Sequence, residues 1–183
     1  GLTSGQVQNL SSNQLNTLTS VKLQALETGD VKALSSTQIQ SLSSTQLNNL
    51  STSQVKALST EQMRALGTDQ LNNLSSTTVQ ALEGTQINAL TSTQVGGLTA
   101  AGVFNKLSTA QVAVLSTDVL RAASTSAIQG VSTVQINALD SSQIQALTSS
   151  QVQALSSAQL NAVGSTQIAS LSSAQVKALT TDQ

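Results

Sequence analysis

Cysteine, histidine, proline, tryptophan and tyrosine are absent from the 183 residues, and Phe104 is the single aromatic. Without cysteine or histidine the chain forms no disulfide and offers no thiolate or imidazole to a metal. A serine nucleophile would find no histidine base. The lack of proline excludes proline-rich linkers and collagen-like structure. Charge is scarce too, at 8% of residues with a net charge of −1. The seven basic residues are scattered and have no aromatic partners, which argues against a nucleic-acid surface. No segment approaches the ~18 consecutive apolar residues of a membrane span, and no signal peptide opens the chain. The chain stops at Gln183 in mid-repeat, so it reads as a fragment of a longer array. An apolar content of 38% is low, but disorder also expects high net charge, and here the apolar residues hold fixed positions.

Those positions belong to an eight-residue unit close to Leu-Ser-Thr-x-Gln-Val-x-Ala. Leucine opens the unit at every eighth residue from Leu10 to Leu98, and the frame resumes at Leu107, Leu115, Leu139, Leu147, Leu155, Leu171 and Leu179. Self-similarity at a short fixed period predicts a repeat architecture. Residues 1–98 form an octad array in one register, 99–107 a nine-residue register break, and 108–183 the array resumed. With leucine as position one, position six is always apolar, from Val7 to Val176, and takes Val103 in the broken unit. Position eight is usually alanine, as at Ala25, Ala57 and Ala146, where a small side chain lets backbones approach.

Position two is nearly always Ser, Thr or Asp, and glutamine follows three residues later, as in Ser43-Ser44-Thr45-Gln46. That spacing is a capping box, and the flanking apolar residues form a hydrophobic staple that pairs Leu42 with Leu47 and Leu50 with Val55. Charge placement agrees. All eight acids (Glu27, Asp30, Glu61, Asp69, Glu83, Asp118, Asp140, Asp182) occupy positions two to five. Five of the seven bases (Lys32, Lys56, Arg64, Arg121, Lys177) occupy position seven, while Lys22 and Lys106 depart from the rule. Acids at the start and bases at the end suit a helix dipole. Each octad therefore reads as a separate helix of about one and a half turns. One long helix is excluded, because eight residues advance about 800°, which displaces each leucine about 80° from the last. The expected fold is an all-α solenoid of short capped helices, one per octad, with positions three, four and seven facing water. A β-solenoid is the alternative, since Val, Ile, Ser and Thr also suit strands.

The break carries two readings. It is a tolerated insertion, or it is a bend or docking spot around Phe104. A second irregular stretch runs from Ala123 to Val131, where the leucine and glutamine positions drift. No catalytic, cofactor-binding or metal-ligating residue is assigned, and no cofactor is expected. Asn9, Asn49 and Asn73 each begin Asn-Leu-Ser, which matches a glycosylation acceptor but is a tripeptide the repeat generates by itself.

The units Leu58-Ser-Thr-Glu-Gln-Met-Arg-Ala and Leu147-Thr-Ser-Ser-Gln-Val-Gln-Ala resemble short octapeptide repeats of very large bacterial surface and secreted proteins, often described as adhesin-like. The resemblance spans essentially the entire chain. It implies an extracellular or cell-surface location and a filament or stalk role, and it carries over no catalytic or binding residue. The expectation is a structural repeat protein, not an enzyme, that self-associates or packs on neighbouring repeats of a longer chain. The alternative is a binding module presenting Ser and Thr rows to a periodic ligand such as ice or a glycan.

Overall fold

A computed structural model describes residues 3–183. Among these residues there are 22 short helices, from Ser4–Gln8 to Ser173–Ala178, and no strand. The all-α solenoid is the observed architecture, and the β-solenoid alternative is wrong. The physical reason is local. Every octad carries its own helix start, and a capped start commits the following residues to helical dihedrals, whatever their strand propensity.

The helix of Ser44–Asn48 illustrates the start. Ser43 is extended (φ −69°, ψ 156°) and its hydroxyl accepts the Gln46 N–H at 3.2 Å. The Gln46 side-chain carbonyl accepts the Ser43 N–H in return, at 3.0 Å. The end is equally simple. The leucine N–H donates to the carbonyl of position six, as Leu42 does to Ile39 at 3.3 Å. In the six-residue helices that leucine is itself extended, as at Leu34 (φ −60°, ψ 133°). Two extended residues, leucine and the next cap, thus turn the chain into the following helix. No described residue has a positive φ, which explains how the array dispenses with both the glycines and the prolines of ordinary turns.

Isolated helices this short are unstable in water, so each is held by neighbours. Helices three apart in sequence pack together: Ser4–Gln8 on Thr28–Ala33, that helix on Thr52–Ala57, and in the same manner Ser92–Gly96 on Thr117–Ala122. The chain therefore coils back on itself after three to four octads. Position six fills the interior, with Val31, Ile39, Met63, Ile87 and Val152 at most 1% exposed, and the leucines of position one close around them. Leu42, Leu47, Leu50 and Val55, the predicted staple residues, are all buried. The chain divides into two units, Gly1–Leu90 and Thr91–Gln183, and each is a coil of this kind.

The nine-residue break lies in the second unit. A turn closed by Gly102 N–H on the Thr99 carbonyl (2.9 Å) takes up the extra residue, and the four-residue helix Val103–Lys106 follows. Leu107 N–H then donates to Phe104, as every leucine does to its position six. Phe104, not Val103, is therefore the position-six residue, and both are buried. The Phe104 ring is spent on the interior and is not offered to a docking partner. Lys106 consequently falls at the end of its helix, so its departure from the dipole rule disappears; burial lowers its pKa from the ordinary lysine value.

Gly130 is the partner of the break. A Cβ built there would stand 2.0 Å from the Ala100 carbonyl oxygen and 2.6 Å from its carbon. The inserted turn occupies space that a side chain takes elsewhere. Gly130→Ala is expected to destabilise the second unit by about 1–3 kcal/mol, the usual cost of overpacking. A urea titration measures the loss, and hydrogen exchange should rise at residues 99–107 before it rises elsewhere. An unchanged urea midpoint would show that the Ala100 turn moves aside freely.

A glutamine ladder as the candidate functional site

The glutamine of position five does more than complete a cap. Gln62 is 3% exposed. Its Oε1 accepts the Ser59 N–H at 2.8 Å, and its Nε2 donates to the carbonyls of Val31 (2.9 Å) and Leu34 (2.7 Å). One amide therefore fixes the start of its own helix and grips two carbonyls of the preceding coil, 31 and 28 residues earlier. Gln38, Gln54, Gln70 and Gln86 repeat the arrangement in the first unit. In the second unit Gln135, Gln143, Gln151, Gln159 and Gln175 do the same. Gln135 reaches Phe104 and Leu107 by the same two steps, a second proof of the register at the break. Buried amides and carbonyls are costly unless paired, and among the described residues no buried side-chain nitrogen or oxygen lacks a partner.

At Thr78, Asp30 and Ala127, where glutamine is missing, other bonds join the coils. Thr78 is too short to reach back. Asn48 from the preceding coil instead accepts the Ser75 N–H (2.7 Å) and the Thr78 hydroxyl (3.0 Å), while its amide donates to the Asn73 carbonyl. Asp30 has no donor, so the bond is reversed: the Ser4 hydroxyl donates to its Oδ1 at 2.8 Å, and its Oδ2 accepts the Glu27 N–H. Ala127 has no polar group, and the Ser124 hydroxyl supplies the Leu98 carbonyl directly at 2.6 Å.

A second row of bonds joins position seven to the carbonyl of position eight one coil later, 25 residues on. It comprises Gln24 to Asn49, Asn48 to Asn73 and Arg64 Nε to Ala89. Position seven is thus not uniformly solvated: Lys32, Gln40 and Lys56 are exposed, whereas Asn48 is half-buried. Of the hydroxyls at positions two to four that a periodic ligand could contact, those of position two serve as caps in Ser35, Ser51, Ser108, Ser132 and Ser172, whereas Ser36, Thr37, Thr52 and Ser53 at positions three and four are exposed. Among the charged groups, the Glu61 carboxyl is held below its ordinary pKa by its own backbone N–H. The Ser59 and Thr60 hydroxyls add to this, and Arg64 contributes less. That is an N-terminal helix effect.

Comparison with curated proteins and with solved structures returns no match. A family model of the ALTTAQ repeat matches residues 23–60, 47–76, 63–100, 119–149 and 152–183. Residues 101–118, which contain most of the break, fall outside these matches. The six letters correspond to position eight through position five, as in Ala178-Leu179-Thr180-Thr181-Asp182-Gln183, which places the leucine, the cap and the ladder glutamine inside the defining pattern. With most of its length so matched, the chain is a repeat protein with a structural role and belongs to the ALTTAQ repeat family.

Proposed function

We propose that this chain is an extended stalk, spacer or filament subunit of a bacterial cell surface or appendage, located outside the cell and without enzymatic activity. The observation that carries the reading is the ladder. Each coil binds the next through the same amide and the same two carbonyls, so further octads add length without requiring any new contact. Stability in such arrays is a sum of unit and nearest-neighbour terms, which suits a part whose task is to span a distance. The resemblance to adhesin-like surface repeats supports the extracellular setting. The Ser and Thr side chains of position two and the Gln side chains of position five are largely engaged in caps and ladder bonds, so these two rows serve the fold itself.

The test is electron microscopy of chains carrying one, two and three tandem copies of the 183-residue array. Contour length should grow in proportion to copy number at constant width. Particles that stay round as copies are added would refute the spacer role. Protease shaving of intact producing cells checks the location: the array should be cleaved from outside, and full protection would place it elsewhere.

A further inference from the structure

Two lysines of the first unit border one groove, and the fold requires neither. The groove has a volume of about 470 Å³ and is lined by Lys32, Lys56 and Glu83 among others, a size usual for small-ligand sites. Lys32 and Lys56 hold position seven in two helices that pack on one another, Thr28–Ala33 and Thr52–Ala57. Position seven of this unit is otherwise Gln or Asn, apart from Arg64, whose Nε is spent on the Ala89 carbonyl. A helix dipole accounts for one base at the end of one helix. It does not account for two ammoniums on neighbouring coils, which repel each other. Both side chains are exposed, and among the described residues neither forms an ion pair or a side-chain hydrogen bond. The helices Ser36–Ser41, Ser44–Asn48 and Ser76–Ala81 of the same unit carry no charge at all.

We propose that this groove binds an acidic sugar of the uronic acid class, as a unit of an acidic polysaccharide. The two ammoniums supply charge-assisted hydrogen bonds to the sugar carboxylate. Glu83 narrows the choice of ligand. Its carboxylate repels a molecule that is anionic throughout, and it accepts hydrogen bonds from neutral hydroxyls. The exposed hydroxyls of Thr28 and Thr85, at positions three and four, line the same groove and can both donate and accept. Leu58, which is buried, gives an apolar patch where the chain has no aromatic platform to offer. One negative charge among hydroxyls is what these groups match, and a uronic acid has that pattern. The site goes beyond the spacer role and does not depend on it, since binding belongs to a single unit and length to the whole array.

The test is a titration of the full chain, labelled with nitrogen-15, with trigalacturonate, followed by NMR. Amide shifts should concentrate at residues 28–32, 56–60 and 83–86 and should weaken as salt is added. Lys32→Gln with Lys56→Gln should reduce affinity about tenfold or more, because both charge-assisted bonds are lost. Glutamine is what the repeat itself places at position seven in Gln24, Gln40 and Gln80, so the double variant should keep its helices, which circular dichroism checks. The fully methyl-esterified trisaccharide has the same rings without the charge and should bind far more weakly. Inorganic phosphate at the same concentration should not displace trigalacturonate. The second unit has a groove of about 420 Å³ lined by Ser92, Asp118 and Arg121; it lacks the lysine pair and should shift less. Any of four results would overturn the proposal: no shifts in the first unit, equal binding of the methyl ester, displacement by phosphate, or a double variant that binds like the wild type. Tandem copies that still lengthen in proportion would leave the spacer role standing in each case.

Discussion

Gln62→Ala is expected to lower the stability of the first unit by about 3 kcal/mol, although the substitution removes no buried hydrocarbon of consequence. The loss has two parts. Ser59 loses the acceptor for its N–H, and the Leu34 carbonyl loses its donor. The Val31 carbonyl suffers less, because it also accepts the Leu34 N–H at 3.2 Å. Removing one partner of a buried pair costs about 1–3 kcal/mol for each group left behind. Gln62→Glu separates the two parts. A carboxylate still accepts from Ser59, so the cap survives, but it cannot donate, and it would face two carbonyl oxygens. If the ladder holds the coils together, the glutamate variant is at least as unstable as the alanine one. If capping alone matters, glutamate is tolerated. Gln40→Ala provides the control: the same change at an exposed position should stay within about 0.5 kcal/mol. Urea midpoints give the totals. Hydrogen exchange should show the opening concentrated at residues 28–36 and 59–66.

Phe104→Ala should cost about 3–5 kcal/mol, the range for deleting a buried aromatic side chain. The ring is 2% exposed and borders a void of about 10 Å³ with Val112, Leu120, Ile128 and Ile136. A space so small leaves little freedom for neighbours to collapse when the ring is removed. Phe104→Leu restores the residue type found at position six in Leu15, Leu47 and Leu71, and should recover most of the loss. A midpoint unchanged by Phe104→Ala would return Phe104 to the surface role that its uniqueness suggests.

The helices were legible in the sequence because their signals are local. Ser43 and Gln46 lie three residues apart, and a cap depends on nothing more distant. The buried rows were legible for a similar reason: position six admits no polar residue, and its period can be counted. The ladder was hidden because it joins residues 28 and 31 apart, whose pairing depends on how many octads one coil takes. One signal could have exposed it. A capping box accepts glutamate as readily as glutamine, yet position five contains no glutamate. The side chain was being kept for its donor. The register of Phe104 was missed because counting forward from Leu98 and backward from Leu107 gives different answers. Only the Leu107 N–H, which donates to Phe104, decides between them. Gly130 carries no signal at all, since its role comes from a turn one coil away.

The reach of the ladder has a genetic consequence. The glutamine bonds run between fixed places in the repeat, so adding or deleting a whole octad leaves each ladder glutamine facing carbonyls of the same kind. Length can therefore drift in steps of eight codons, by slippage or unequal exchange, with no compensating substitution. A single added codon enjoys no such tolerance. The one in the segment from Leu98 to Leu107 is accompanied by a remade turn and by a glycine at position 130, which makes this segment a lasting landmark in a chain otherwise free to change its length.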